Sequence, residues 1–483
     1  MRVLAIDQGT TNTKALVVAA DGTILARASA PSTSVYPRPG WAEQSAEGIW
    51  AATRAVIDRV ATEVGPDSID ALAISNQRET IVAWDAATGA PVGPAILWQC
   101  TRTAAACEAL IAAGRGAAVE AATGLAINPM FPAPKLAWLI EHRPEARALH
   151  DKGQLRVGTV DAWLLWNLTG GASFATDHSN ASRTQLFDTE TLEWSAALGA
   201  IFGAPTDCLP DALPSDSRFG ETAPGVSALP AGIPIRAMMG DSHAALYGHG
   251  VRAPGVVKAT YGTGSSLMTL VPERIAPRHG VSGTIAWSDA AGTHHALEGN
   301  IFVSAQAAAF IGTLLGLGDA RALSDLAQTV EDAGGVTFVP ALSGLGAPHW
   351  AAQATGTIAG MTHATTPAHL ARATFEAIAM QIADVFEAME ADAGQPLRAL
   401  RADGGASANP FLMQLQADLL GRPVDRAEIE EVGALGAAAM AFAALSVATD
   451  WPQHSTRFEP AMGDATRGAL RDRWKDALRR VTA

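Results

Sequence analysis

Three times in this chain a short apolar run gives way to a turn of glycines and hydroxyl side chains: Asp7-Gln8-Gly9-Thr10-Thr11-Asn12-Thr13-Lys14, Thr260-Tyr261-Gly262-Thr263-Gly264-Ser265, and Asp403-Gly404-Gly405-Ala406-Ser407-Ala408-Asn409. Such loops offer backbone N–H groups and hydroxyls to a phosphate, and a carboxylate at the strand end holds a metal ion or its water. One such loop alone reads as a hairpin turn with Asp7 as turn former. Three together change that reading. None completes G-x-x-x-x-G-K-[ST], and none forms G-x-G-x-x-G between a strand and a helix, so neither a P-loop nor a Rossmann crossover is available. A phosphate held by this chain must lie between loops from different parts of it.

The first loop sits in an antiparallel meander, with strands predicted at 2–6, 13–18 and 23–28 and a second turn at Asp21-Gly22. Helical spacing of Ile49, Trp50, Val56, Ile57 and Val60 predicts a helix over 46–60, followed by a strand at 69–74. Strands at 80–84, 95–98 and 155–160, a helix over 103–113, and Asp161 as N-cap of a helix over 162–168 continue the alternation. Strands at 256–260 and 267–270 around Gly262-Thr263-Gly264 repeat the opening theme, so an internal duplication is expected. Helices at 302–315 and 323–331, a strand at 336–339, and a long helix with Thr366 as cap and Pro367 at its first position follow. A chain of 483 residues has room for two or three domains. The Pro/Gly/Ser-rich stretch 223–232 reads as a surface loop, and a boundary near 250, after the Gly240-Asp241 turn, gives domains 1–249 and 250–483.

Lys and Arg total 34 against 48 Asp and Glu, and the resulting net charge of −14 opposes any non-specific grip on nucleic acid or anionic lipid. A small ligand is the expected partner, with no nucleic acid and no membrane. Hydrophobic residues at 48% against 17% charged exclude disorder. Cys100, Cys107 and Cys208 are scattered without zinc or disulfide spacing, which predicts a reducing, cytoplasmic setting. The N-terminus reaches Asp7 after one short apolar run, so no secretory leader is expected. The stretch 432–448 falls short of the roughly 20 residues of a membrane span and reads as a buried helix. Met238, Met239, Met361, Met380 and Met389 read as core filler.

Directly after the strand at 69–74 come Asn76-Gln77-Arg78-Glu79-Thr80, and Leu97-Trp98-Gln99 close another strand. Adjacent Arg and Glu at a strand end present donors and acceptors together, as recognition of several hydroxyls requires, and an indole gives a flat apolar wall. The set suits a polyol; a surface ion pair beside a core tryptophan is the plainer alternative. Asp241 ends the apolar run Met238-Met239-Gly240. Phosphoryl transfer to an alcohol needs positioning, charge neutralisation by a metal ion and a base for the hydroxyl proton, and an Asp at a strand end fills the last role. A serine-esterase reading of Gly240-Asp241-Ser242 lacks the G-x-S-x-G elbow, and Ser242 beside His243 in sequence makes no triad. His294, His295 and Glu298 lack H-E-x-x-H spacing; the histidines read as structural strand residues. Glu428, Glu430 and Glu431 read as a solvated loop.

In their order these motifs resemble the FGGY carbohydrate kinases, and among them the glycerol kinases, along nearly the whole length. The segments that carry the resemblance are Asp7-Gln8-Gly9-Thr10-Thr11, Pro39-Gly40-Trp41-Ala42-Glu43, Asn76-Gln77-Arg78-Glu79-Thr80, Trp98-Gln99, Thr176-Asp177 with Asn180-Ala181-Ser182-Arg183, Gly240-Asp241, Tyr261-Gly262-Thr263-Gly264, Gly344-Leu345-Gly346-Ala347-Pro348, and Asp403-Gly404-Gly405-Ala406. The resemblance implies an α/β fold of two ribonuclease-H-like domains of the actin and hexokinase type, with ATP and an alcohol meeting in the cleft between them. It implies Asp241 as general base, Asp7 and Asp241 at Mg2+, and Arg78, Glu79 and Trp98 around the alcohol. Thr10, Thr11, Asn12 and Lys14 with Gly262, Thr263 and Gly264 would clasp the phosphates, and Ala305, Gly405 and Asn409 would lie near the rest of the nucleotide. A homodimer or homotetramer is what the likeness suggests.

At three lining positions the chain departs from the glycerol kinases: Met130 replaces a Tyr, Ser242 a Gln and Ser266 a Phe. Met removes a hydroxyl-bearing contact, whereas Ser266 enlarges the pocket and adds a hydrogen-bonding group, which suits a longer or more hydroxylated substrate. The expected activity is Mg-ATP-dependent phosphorylation of a terminal hydroxyl on a polyol or ketose of roughly three to five carbons. Glycerol or a four-carbon polyol such as erythritol comes first, a pentulose next. A non-catalytic nucleotide-responsive regulator on the same clamp is the reading from another class, and it leaves Arg78, Glu79, Trp98 and Asp241 without a use.

Overall fold

The computed structural model describes residues 1–449, 451 and 454–482. Two large mixed sheets organise it. The first takes β1 (Arg2–Gln8), β2 (Asn12–Ala19), β3 (Ile24–Pro31), β4 (Ala71–Asn76), β5 (Gly220–Glu221) and β6 (Pro234–Gly240), in the order β5-β6-β4-β1-β2-β3. The second takes β7 (Val256–Tyr261), β8 (Ser265–Val271), β9 (Ser282–Asp289), β10 (Gly292–Ile301), β11 (Ala399–Asp403), β12 (Val424–Ala427) and β13 (Ser455–Phe458), in the order β9-β10-β8-β7-β11-β12-β13. Each sheet sets an antiparallel meander beside parallel strands: β3-β2-β1 against β4 and β6, and β10-β8-β7 against β11 and β12. The second half repeats the first, as the glycine loops led us to expect.

Strand β1 carries Val3, Leu4, Ala5 and Ile6, all fully buried, because helices cover both faces of its sheet. On one face α1 (Ala46–Val64) is capped by the Ser45 hydroxyl, which accepts from the Gly48 N–H, and it buries Ile49, Val56, Ile57 and Val60. The helix α2 (Pro132–His142) starts on Pro132, where a missing N–H costs nothing. Beyond α3 (Asp241–Gly248) lie α4 (Ala305–Leu314) and α5 (Pro367–Ala393), whose Ile378, Ile382, Val385 and Met389 form part of the core of the second sheet. The last of this set, α6 (Val432–Ala444), is the buried helix read from its composition.

Helices α3 and α6 lie in one core cluster with side chains of both sheets, among them Val3, Ala71 and Ala237 from the first and Met268, Leu270 and Ala296 from the second. At their crossing a Cβ on Gly436 would stand 1.8 Å from the Ala244 carbonyl oxygen, and one on Gly248 would stand 2.2 Å from that of Val432. Only glycine lets two backbones approach this closely.

Several boundaries differ from the sequence reading, each for a local reason. Asp161 is not a cap: the helix Val160–Leu168 starts before it from Thr159, and its carboxylate sits wholly buried, accepting from the hydroxyls of Thr159 and Thr176. The helix expected from 302 begins at Ala305, because the amides of Ser304, Ala305 and Gln306 donate to the carbonyls of Thr263 and Gly262. The helix expected at 323–331 is Ala320–Ala327, capped by Asp319, a signal passed over in the sequence. The strand read at 95–98 is only Ala95–Ile96, with Trp98 in the turn that follows. Gly240-Asp241 is no turn but a direct strand-to-helix junction, and Met361 is no core filler, being 59% exposed. The three cysteines are free and buried, and no described helix is long and apolar enough to cross a membrane.

Candidate active site

Parallel pairing assembles the site. Strands β1 and β4 place Asp7 opposite Ser75, β6 and β4 place Gly240 opposite Asn76, and in the second sheet β7 and β11 place Thr260 opposite Asp403. The carboxyl ends of these strands therefore carry all three glycine loops, the Arg78-Glu79 turn and Asp241. In open α/β sheets this is the edge at which ligands bind.

An ion network forms the floor. Arg78 Nε donates to Asp241 Oδ1 at 2.9 Å, Nη1 donates to Glu298 Oε1, and Nη2 reaches Ser242 Oγ at 3.3 Å. A Cβ on Gly240 would stand 2.6 Å from Arg78 Cδ and 2.8 Å from His243 Nδ1, so a glycine there is what lets the arginine cross to Asp241. Arg183, wholly buried, donates from Nε to Glu79 Oε1 at 2.7 Å and stands 2.8 Å from Glu298 Oε2 through Nη1. The latter is an ionic contact rather than an aligned hydrogen bond. Burial raises the Glu298 carboxyl, but Arg183 and Arg78 outweigh it and hold it below the usual range. Burial likewise opposes the charge on Arg78, and Glu298, Glu79 and Asp241 together hold it above its ordinary value.

Glu79 is the centre of a tight turn: its φ is 59°, and the Thr80 N–H donates to the Arg78 carbonyl at 2.7 Å. A side-chain-bearing residue in this region carries strain of order 1–3 kcal/mol, sustained only where neighbours over-determine it. Arg183, bound to Glu79, also lies 5.1 Å over the Phe131 ring, which belongs to an apolar cluster in which Leu125, Met130 and Phe131 pack together with Trp98 against them. The Trp98 indole N–H donates to Thr10 Oγ1 at 3.0 Å, and that hydroxyl donates on to Gln77 at 3.2 Å. Ser242 and Ser266 hydroxyls meet at 2.8 Å, and Ser266 also reaches Glu298 at 3.4 Å.

Asp241, at the start of α3, has a side chain 41% exposed, and its two hydrogen bonds, from Arg78 and from its neighbour's Ser242 N–H, both fall on Oδ1. Asp7 accepts from Ser75 Oγ at 2.8 Å; burial raises its pKa, and the nearby charges of Asp241 and Asp403 raise it further. Thr11 and Asn12 are exposed on the first loop. On the second, the Gly262 N–H donates to the Gly264 carbonyl at 2.9 Å. Asn409 closes the third loop, and its carboxamide is engaged, accepting from the Phe411 and Leu412 amides and donating to Ser324.

Comparison with known proteins gives this geometry its relatives. The model of the FGGY family of carbohydrate kinases, N-terminal domain, matches residues 2–248, and that of the C-terminal domain matches 257–445. The chain belongs to the FGGY carbohydrate kinases. It is 48% identical to an apulose kinase of Pectobacterium atrosepticum over 90% of this chain and 88% of that one, and 44% identical to a glycerol kinase of Bordetella parapertussis over 99% and 96%. A crystal structure of Plasmodium falciparum glycerol kinase with ADP superposes with a TM-score of 0.92 at 30% identity, covering 100% of this chain and 98% of that one. Two ribonuclease-H-like domains flanking a cleft are thus the fold of this FGGY kinase, an ATP-dependent enzyme acting on a sugar or polyol.

Sequence reasoning passed over part of this candidate site. Glu298, set aside with two histidines, is instead the buried carboxylate on which Arg78 and Arg183 converge. Lys258 on β7 is fully buried; burial lowers its pKa while Asp403 and Asp241 draw it back up. Asp403 accepts from His249 Nε2 at 2.6 Å. The one available signal was alternation: Lys258 and Thr260 share a face of β7, with Val257 and Ala259 on the other in the core. The described residues contain no cluster of three or more His, Cys, Asp or Glu side chains able to cage a metal. Asp7 and Asp241 nevertheless fit a hard cation: both offer oxygen and their charges repel, and the α6 residue beside Asp7 is Gly433, whose added Cβ would stand 3.8 Å from both Asp7 carboxylate oxygens.

Proposed function

We propose that this kinase transfers the γ-phosphoryl group of ATP to a terminal hydroxyl of a ketose or polyol somewhat larger than glycerol, of roughly four to five carbons. The observation that carries this is the Ser242–Ser266 hydroxyl pair, linked to Arg78 on one side and Glu298 on the other. It extends a hydrogen-bonding network to where the glycerol-kinase pattern has a phenyl ring, and an additional substrate hydroxyl can join it. The similarity to an apulose kinase at 48% identity, beside glycerol kinases at 44%, supports the same choice.

The alcohol lies between the wall of Trp98 and Met130 and the donors and acceptors of Arg78, Glu79, Ser242 and Ser266. Arg78 fixes the orientation of the Asp241 carboxylate, which takes the hydroxyl proton as the alcohol oxygen bonds to the γ-phosphorus. The bond from that phosphorus to the bridging oxygen breaks, and ADP leaves. Thr10, Thr11, Asn12, Lys14, Gly262, Thr263 and Gly264 steady the phosphates; Ala305, Gly405 and Asn409 border the rest of the nucleotide. Asp7 and Asp241 would hold Mg2+, which when bound would supply charge neutralisation on the phosphates. A domain boundary near residue 250 belongs to this reading, supported by a first sheet that ends at Gly240 and a second that begins at Val256.

The test is ADP release across glycerol, erythritol, xylulose, ribulose and apulose. We expect the highest kcat/KM on a four- or five-carbon acceptor. Preference for glycerol above all others overturns the size assignment, and silence on every alcohol overturns the activity.

A further inference from the structure

One buried lysine has no part in the mechanism proposed above. Lys135, in the first turn of α2, is wholly buried, and its ammonium donates to the backbone carbonyls of Glu79 at 3.0 Å and of Met130 at 2.5 Å. Glu79 belongs to the polar turn after β4 and Met130 to the apolar cluster with Trp98, the two groups between which the proposed function places the alcohol. A buried ammonium is costly unless it is hydrogen-bonded, and here burial brings the group down to about 7, with Glu79 the largest influence opposing it.

We infer that Lys135 is a positioning residue for the substrate site: its ammonium pins the carbonyl of Glu79 and the carbonyl of Met130 and so fixes the distance between polar turn and apolar wall. Two facts make this more than packing. Glu79 has a positive φ, a conformation that holds only where it is restrained from several sides. Arg183 restrains its carboxylate, and Lys135 restrains its backbone. Met130 stands on the short segment that leads into α2, where its own N–H donates to Asn128 Oδ1 at 2.9 Å, so Lys135 supplies the restraint on its carbonyl. The inference rests on Glu79 and Met130 lining the alcohol site, and its test is chosen to separate the two.

The experiment is Lys135→Met in the full-length kinase, which keeps length and removes the donors, with Lys135→Gln as the variant that keeps N–H donors without charge. Hydrogen–deuterium exchange without substrate reads backbone positioning directly. We expect exchange to rise by about tenfold or more in segments 77–81 and 128–131, the loss associated with a charge-assisted hydrogen bond, and to stay unchanged in β7 and β11. With xylulose and erythritol as acceptors, KM for the alcohol should rise by about tenfold while KM for ATP and kcat stay within about threefold. Lys135→Gln should recover part of both effects. A folded Lys135→Met protein with unaltered exchange in both segments overturns the inference. So does exchange raised equally throughout the chain, or kcat and both KM values moving together, since either marks a merely structural lysine. Local exchange that rises while the alcohol KM does not move would leave the backbone role standing and refute the placement of Glu79 and Met130 in the substrate site.

Discussion

Arg78 and Glu298 join the two sheets: the guanidinium reaches from the turn after β4, the carboxylate from β10, and Nη1 donates to Oε1. The same guanidinium holds Asp241 at 2.9 Å through Nε. One side chain therefore orients the proposed base and ties the halves of the molecule at the bottom of the cleft. Whatever changes the second sheet at Glu298 is felt at Asp241.

Asp241→Asn keeps shape and loses the proton acceptor. Turnover should fall by roughly 10²- to 10⁴-fold, the usual worth of general base catalysis, with alcohol affinity nearly unchanged by calorimetry. Turnover close to that of the parent would remove Asp241 from the chemistry.

Ser266→Phe fills the space beside Ser242 and takes away one member of the hydroxyl pair. Preference should swing to the smaller acceptor, with the kcat/KM ratio of glycerol over a five-carbon ketose rising by roughly 10- to 200-fold. An unaltered ratio would show that this position does not gauge substrate size.

Glu298→Gln leaves Arg78 and Arg183 buried with two of their five ion pairs gone. Breaking a buried ion pair of this kind costs about 3–5 kcal/mol, and denaturant melts should register it together with a raised alcohol KM. A variant as stable as the parent would argue that water enters and screens the cluster.

Stability should also carry the mark of Asp161. Burial first, and the charge of Asp177 second, push its carboxyl up to about 6 from an unfolded value of 3.8. The folded state thus holds this proton more tightly, so the group's contribution is present below the unfolded value and is lost as pH rises through the folded one. Its ionised form carries a penalty on the order of 3 kcal/mol at neutral pH. Asp161→Asn, which cannot ionise, should gain stability relative to the parent as melts are moved from about pH 4 to about pH 8. Parallel curves for the two proteins would contradict it.

The amino-acid sequence by itself determined the two-fold repeat, the elements around each glycine loop and the family, because these depend on local periodicity, turn chemistry and the order of motifs along the chain. Arg78, Glu79, Trp98 and Asp241 were legible as a set because each stands where a predicted strand ends. What only the tertiary structure decided is which charges meet. Glu298 lies 220 residues from Arg78, and Lys135 lies 56 from Glu79; no spacing rule links such positions, since their proximity comes from parallel register and from packing that brings the two sheets together around α3 and α6. Asp161 shows the same limit at close range: as a polar residue before an apolar run it looks like a cap, and only its burial reveals that the hydroxyls of Thr159 and the distant Thr176 answer its carboxylate.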